Sequence, residues 1–373
     1  MSHEQSRPGS LVLAGRQLPI VGPARIYVCG VTPYDVTHLG HAATYAWVDV
    51  VTRLLRHVGI DTVVARNVTD VDDVLTRAAR SAGVPYDRFA AMNQYQFDHD
   101  MAALGIARPD HEPRAHRHIT GVIRLAEALL TRGVAYERGG TVYHRGAGLL
   151  ASGGPDRATA LHQLAAFGED VDDAAKDDPL DIPVWRASGA DDPAWPSPWG
   201  EGRPGWHAEC AAMVLSIHGS SVDIHAGGAD LAFPHHACES LHAEAVTGVT
   251  PFARSWLRVG TVQVAGEKMA KSTGNLVLVR DLLLDHAPST IRMLLLDRPW
   301  SQEWDVRPDA LSAAAARVEQ VHAAAARPDR SETGVEEVVR LLLDDLDVPA
   351  ATATALEAGG RAARVLSQIL VIG

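Results

Sequence analysis

Alternating strand and helix patterns predict an α/β protein: a parallel-sheet domain interrupted by an insertion, with a helical domain after it. Three observations carry this. Strand-like, helix-like and strand-like segments follow one another over residues 25–69, the same alternation resumes over 207–264, and beyond residue 280 the chain turns Ala- and Leu-rich with helical spacing. The 373 residues allow one large α/β domain and a smaller one. A hydrophobic share of 46% with a mean hydropathy of -0.04 reads as soluble and globular. No apolar run approaches the roughly 18 residues of a membrane span, and MSHEQSRPGS lacks the charged start and apolar core of a signal peptide. The expected setting is the cytoplasm.

Residues 1–24 are Gly/Pro-rich and read as a peripheral N-terminal extension. RIYVCGVT (25–32) reads as a buried first strand. From 38 to 59 an apolar stripe of Ala42, Tyr45, Val48, Val51, Leu54, Leu55 and Val58 predicts a helix, and 61–69 a second strand. Strand, helix and strand make one βαβ unit with a parallel pair. Helical patterns follow near 71–83, 87–106 and 118–133, whereas 145–205 is rich in Gly, Asp and Pro and reads as irregular. The sheet resumes with a helix at 207–219, a strand at 222–226, a helix at 235–248 and a strand near 254–264. The expected organisation is therefore a first sheet half at 25–110, an insertion at 111–204, a second half at 205–285 and a helical domain at 286–373, with no internal repeat.

Three residue types carry the chemistry. The cysteines, Cys29, Cys210 and Cys238, are too scattered for a disulfide framework and read as metal ligands or buried small hydrophobes. Lysine occurs only at Lys176, Lys268 and Lys271, so two of three fall three residues apart, in KMAKS. Compact ammonium groups on such a loop can follow charge developing on a phosphate; an exposed Lys/Ser turn is the plainer alternative. His38-Leu39-Gly40-His41 opens the first helix, where backbone N–H groups and the positive helix end face a ligand. There Gly40 permits close approach and two imidazoles can donate to phosphate oxygens, or the histidines merely cap. The net charge of -12 argues against a nucleic-acid partner while leaving room for a local basic patch.

HLGH and KMAKS, in this order at the ends of one sheet domain, resemble the two signatures of class I aminoacyl-tRNA synthetases. CGVTPYD (29–35), NVTDVDD (67–73), GWHAEC (205–210) and GGADLAFPHH (227–236) resemble the cysteine branch, over about residues 25–310. The resemblance implies a class I Rossmann-type parallel sheet with an insertion and a C-terminal helical domain. It implies a ligase that uses ATP with Mg²⁺ to form cysteinyl-AMP. His38, His41, Lys268 and Lys271 would stabilise charge. Gly30, Val31, Thr32, Gly40, Thr44, Asn67, Val68, Thr69, Trp206, Gly228, Ala229, Asp230, Val262 and Ser272 would surround the adenylate; Trp206 also reads as a core aromatic.

In that family a zinc ion holds the substrate thiolate. Cys29, Cys210, His235 and Glu239, the last four residues after His235 on one helical face, make a plausible zinc set, with Cys238 as a competing ligand. Asp70, Asp72 and Asp73 could include a base or could cap the helix that follows.

The cysteine branch includes cysteinyl-tRNA synthetases and the mycothiol ligases, which join cysteine to the amine of glucosaminyl-inositol. Thr32-Pro33-Tyr34-Asp35, Val74-Leu75, His41-Ala42-Ala43-Thr44-Tyr45, His242-Ala243-Glu244-Ala245 and Ser301-Gln302-Glu303-Trp304 resemble the mycothiol ligases. From Leu276 onward ten Arg face fifteen Asp/Glu with no lysine, a poor surface for an anticodon. Two features depart from the mycothiol ligases. Ala166–Val171 stands where they carry an ERGGDP-type segment, and Glu239 resembles the synthetases. The expected substrates are ATP, L-cysteine and an amine, foremost glucosaminyl-inositol, with tRNA disfavoured and a monomer expected. A paralogue serving another amine, a cysteinyl-tRNA synthetase and a non-catalytic pseudo-synthetase remain open.

Overall fold

The computed structural model describes residues 10–34, 36–150, 154–190, 192–269, 273–329 and 332–373. The chain begins with a hairpin, β1 (Leu11–Leu13) and β2 (Arg16–Leu18), and then enters β3 (Ala24–Val31), α1 (Leu39–His57) and β4 (Thr62–Val68). Next come α2 (Asp73–Ala82), α3 (Tyr86–Ala103) and α4 (Ile119–Thr131). The insertion adds β5 (Ala135–Arg138), β6 (Thr141–His144), α5 (Arg157–Ala166), β7 (Ile182–Ala187), β8 (Trp195–Ser197) and β9 (Gly200–Pro204). The sheet domain resumes with α6 (Trp206–His218), β10 (Val222–Gly228), α7 (His235–Thr247) and β11 (Ala253–Val259). Two short strands, β12 (Val262–Val264) and β13 (Glu267–Lys268), lead to α8 (Val279–Asp285), α9 (Pro288–Leu296) and β14 (Trp304–Asp305). Four helices end the chain: α10 (Ala310–Ala325), α11 (Thr333–Leu343), α12 (Val348–Ala358) and α13 (Gly360–Leu370).

The central sheet has the order β11-β10-β3-β4, and every neighbouring pair is parallel. From β3 the chain crosses through α1 to β4 on one side, and after the insertion it returns to β10 on the other. The order therefore reverses between β3 and β10, and ligands of open α/β sheets bind outside the carboxyl ends of the strands at such a point. Both Cys29 and the Gly227-Gly228 pair lie near those carboxyl ends. The sheet is covered by α1, whose Leu39, Trp47, Leu54 and Leu55 are buried to within 1% of full burial.

Three expectations change. The N-terminal segment is not peripheral from residue 11 on: Leu11 and Leu13 are wholly buried, and the Val12 carbonyl accepts the Asp345 N–H at 3.0 Å. Residues 145–205 are not irregular. They supply α5 and most of an antiparallel five-stranded sheet of order β5-β6-β7-β9-β8. The strand expected at 254–264 is two, because Gly260 bonds through its N–H to the Trp300 carbonyl at 2.9 Å and β12 leaves for a second sheet with β13 and β14. Among the described residues, no helix is long and apolar enough to cross a membrane.

Candidate active site and metal centre

The nucleotide side is assembled by backbone pairing between distant segments. His38 caps α1: its Nδ1 accepts the Gly40 N–H at 3.1 Å, which leaves the ring proton on Nε2 as a donor. His41 stacks on His38 with ring centroids 3.9 Å apart. Burial first, and then the His38 ring, hold His41 well below the ordinary histidine value, so it is neutral. The Leu39 N–H bonds the Val277 carbonyl at 3.0 Å and the Val279 N–H bonds the Thr37 carbonyl at 3.1 Å. The HLGH turn is thereby stitched to the residues that follow KMAKS. Met269 is buried, and its Cε would lie 3.6 Å from a Cβ on Gly40. Lys268 Nζ meets Asp230 Oδ2 at 2.5 Å. Lys271 and Ser272 lie outside the described residues.

The remaining adenylate candidates line the same strand ends. Asn67 Oδ1 accepts the Gly30 N–H at 2.8 Å, and its Nδ2 donates to Thr69 Oγ1 at 3.0 Å. A Cβ on Gly30 would fall 1.5 Å from the Asn67 carbonyl oxygen, so β3 and β4 approach as only glycine allows. The Thr69 N–H bonds the Val31 carbonyl at 3.1 Å, Thr32 closes the turn after β3, and Thr44 Oγ1 reaches the Gly40 carbonyl at 3.4 Å. Val68 is wholly buried and Val262 nearly so, so both take part through backbone and packing. Gly228 ends β10 and Ala229 opens the short turn that carries Asp230.

The amino-acid side is a buried polyvalent cluster. Donor atoms of Cys29 on β3, Cys210 on α6, and His235 and Glu239 in the first turns of α7 all lie within 4.8 Å of one another. Its electrostatics ask for a cation. Cys29 donates its thiol proton to Glu239 Oε1 at 3.3 Å. The hydrogen bond from Cys29 pulls the Cys210 thiol below its ordinary value, while burial pushes the Cys29 thiol up. Burial opposes a charge on Glu239, yet His225 and His235 hold its carboxyl well below the usual range. Burial likewise opposes a charge on His235, yet Glu239 and Cys210 raise it to about 10. A carboxylate, a thiol drawn toward ionisation and an imidazole drawn toward protonation thus share one dry pocket. That donor set, two sulfurs, an imidazole and a carboxylate, fits a divalent ion such as zinc.

Several further histidines also surround this cluster. His225 and His236 form a second group of candidate ligands with Cys29 and Glu239. His225 Nε2 lies 2.7 Å from Glu239 Oε2, but without hydrogen-bond alignment, so both atoms stay unsatisfied. His207 Nδ1 sits 2.9 Å from His235 Nδ1. Neutral His235 that ligates through Nε2 must donate from Nδ1, which puts the His207 proton on Nε2, 3.7 Å from Glu169 Oε1. Trp206 stacks on His235 at 4.3 Å. Cys238, by contrast, packs among Leu149, Leu164, Leu180 and Ile182. The only available signal for these roles was the histidine density of 207–242; which histidines face the cluster depends on how α6, β10 and α7 are packed. The aspartates divide plainly. Asp72 caps α2 through the Val74 and Leu75 N–H groups, Asp70 meets His116 Nδ1 at 2.5 Å, and Asp73 holds Arg203 at 2.9 Å.

Comparison with known proteins places this geometry. Residues 20–316 match the family described as tRNA synthetases class I (C) catalytic domain. A ligase of Acidothermus cellulolyticus named L-cysteine:1D-myo-inositol 2-amino-2-deoxy-alpha-D-glucopyranoside ligase is 43% identical over 357 residues, 93% of this chain and 88% of that one. The cysteine--tRNA ligase of Pseudomonas paraeruginosa is 38% identical over 346 residues, 91% of this chain and 75% of that one. Mycobacterium tuberculosis methionyl-tRNA synthetase, solved with methionyl-adenylate, shares the fold at a TM-score of 0.62 and 17% identity, over 94% of this chain and 82% of that one. The chain belongs to the class I tRNA-synthetase family, in the (C) catalytic-domain branch, and is a ligase that works through an aminoacyl-adenylate made from ATP.

Proposed function

We propose that this ligase activates cysteine and transfers it to a small amine, foremost glucosaminyl-inositol, as a cytoplasmic monomer. One observation carries the reading: Cys29, Cys210, His235 and Glu239 converge at the carboxyl ends of the sheet strands, beside the HLGH turn and Lys268. These four residues would hold zinc, which when bound would accept the substrate's thiolate as a soft ligand that serine's hydroxyl cannot match. The carboxylate of the amino acid then faces the α-phosphate of ATP. The ring N–H groups of His38 and His41 and the ammonium groups of Lys268 and Lys271 would offset charge there, with Mg²⁺ on the leaving phosphates. Lys268 must exchange Asp230 for phosphate oxygens, and Asp230 is then free to bind the ribose or adenine side. Attack by an amine on the activated carbonyl releases AMP.

Cysteine-dependent, serine-independent ATP–pyrophosphate exchange tests the first step. Its absence in zinc-loaded protein would leave only a non-catalytic binder. Mass detection of products from cysteine, ATP and glucosaminyl-inositol tests the second. A product from a different amine would point to a paralogue serving secondary metabolism. Transfer to tRNA is the second reading, favoured by the carboxylate at position 239 and the 38% identity to a cysteine--tRNA ligase. Efficient tRNA charging with glucosaminyl-inositol ignored would replace the first reading by the second.

A further inference from the structure

The short turn Ala115–Arg117, between α3 and α4, carries a histidine that the activation chemistry does not use. Asp70, one residue after Thr69, holds it twice. Its Oδ1 accepts the His116 backbone N–H at 3.0 Å, and its Oδ2 meets His116 Nδ1 at 2.5 Å. An ionised carboxylate only accepts, so the ring proton sits on Nδ1 and the lone pair on Nε2. Nε2 meets no partner among the described residues, and it is open to solvent: the His116 side chain keeps 40% of its surface, against 7% for Asp70. The backbone bond alone would pin the turn. The second bond adds a tautomer and an orientation to the ring, which is how a carboxylate readies an imidazole to take a proton. The neighbouring charges are engaged among themselves. Arg114 reaches Glu112 at 3.3 Å and Asp70 Oδ2 only at 4.0 Å, and Glu112 takes Arg66 at 2.6 Å.

The pair stands at the end of the sheet where an activated acyl group is passed on. Residues 111–114 run parallel to β4: the Arg66 and Val68 N–H groups bond the His111 and Pro113 carbonyls at 3.0 and 2.9 Å. The turn therefore emerges at the carboxyl end of β4, beside Val68 and Thr69. It also packs against α6, which brings Trp206 and Cys210. Two interstrand spacings, about 10 Å, separate its line from β3 and Cys29. An imidazole and an attacking nitrogen between them can span that gap. The other aspartates of the segment are committed elsewhere, Asp72 to the α2 cap and Asp73 to Arg203.

We infer that His116 is the catalytic base of the transfer step and Asp70 the residue that positions it. The inference rests on the transfer reading above. The amine nitrogen forms the C–N bond to the acyl carbon of cysteinyl-AMP, and its N–H proton passes to His116 Nε2 and on to solvent. The bond from that carbon to the phosphate oxygen breaks, and its electron pair leaves on AMP. To test this, the full, zinc-loaded chain is charged with ATP and cysteine and then chased with glucosaminyl-inositol or with hydroxylamine, which is already unprotonated at neutral pH. The hydroxamate measures the adenylate that each protein has formed. Relative to it, amide formation by His116→Ala is expected to slow by about a hundredfold or more, the usual worth of a general base, and to recover in part with added imidazole. A second measurement needs no variant: ¹⁵N NMR of histidine-labelled wild type is expected to show the His116 proton on Nδ1. An unchanged amide rate, a slow rate that imidazole leaves as it is, or a proton on Nε2 overturns the base while the transfer reading stands. A wild type that yields hydroxamate but no amide sinks the transfer reading, and the base with it.

Discussion

At the residue scale the Cys29, Cys210, His235 and Glu239 cluster makes an unusual demand, because two sulfurs, an imidazole and a carboxylate meet in one buried pocket. The α7 positions 238 and 239 separate two explanations of it. Glu239 faces Cys29, His225 and His235, whereas Cys238, one residue earlier, is turned into an apolar cluster on the insertion side. A shift of one residue on a helix turns the side chain by about 100°, so the two cannot both serve the metal. Glu239→Gln is therefore expected to lower bound zinc, read by elemental mass spectrometry, and to raise the KM for cysteine by about tenfold or more, in line with the loss of a ligand or its orienting partner. Cys238→Ala should keep full zinc content and pay only a packing penalty of about 1–2 kcal/mol. Equal zinc loss in both variants would mean that Glu239 matters to the ion no more directly than Cys238 does, and would remove it from the ligand set; no zinc on the wild type would remove the ion site itself.

At the element scale the junction between the insertion sheet and α7 rests on two buried imidazoles. His144 on β6 and His242 on α7 meet Nδ1 to Nδ1 at 2.8 Å, so one ring must donate and the other accept. That bond fails once both rings are protonated. Burial holds His144 down to about 4 and His242 well below its ordinary value. The sign follows: the unfolded chain takes up these protons near pH 6.5 and the folded chain does not. The stabilisation is full above pH 6.5 and is lost as pH falls toward 4, on the order of 3 kcal/mol for His144. Urea midpoints of wild type should drop over that window, and His144→Asn should flatten the drop while lowering the plateau at pH 7; an unchanged slope would remove this pair as its cause. The βαβ core was legible because α1 carries an unbroken apolar stripe and β3 and β4 are short buried runs. The insertion was not, because β8 (WPS) and β9 (GEGRP) have neither alternation nor a run of strand-forming residues, and exist because β9 pairs with β7 and β8 with β9. Likewise the metal donors could be named by resemblance, but His207, His225 and Glu169 could not. They come from three segments, α6, β10 and the loop after α5, that only packing around α7 brings together.

At the scale of the whole molecule, the C-terminal helices act as part of the sheet domain's core rather than as an appended module. The hairpin at the N-terminus buries Leu11 and Leu13 in the same cluster as Leu342, Leu346 and Leu370, so both ends of the described chain close over α1. One side chain ties this assembly. Arg292 on α9, with no exposed surface, bonds the Asp49 carboxylate on α1 at 2.8 Å, the Leu370 carbonyl on α13 at 2.6 Å and the Leu104 carbonyl after α3 at 3.2 Å. Asp49 in turn takes Arg53 at 2.9 Å and the Ala107 N–H at 3.1 Å. Removing Arg292 leaves Asp49 with Arg53 as its only cation and leaves the Leu104 and Leu370 carbonyls without this donor, a cost of about 3 kcal/mol, at the low end of that for a fully stranded buried charge. Arg292→Met is therefore expected to lower the unfolding free energy by about that amount and to expose the α10–α13 region to limited proteolysis first. Asp49→Asn in the same chain should recover part of the loss, since it removes the stranded carboxylate while keeping the acceptor for Ala107. If the double variant is as unstable as the sum of the singles, the loss belongs to the orphaned carbonyls of Leu104 and Leu370, and Arg292 acts as a backbone clamp between domains rather than as an ion-pair partner.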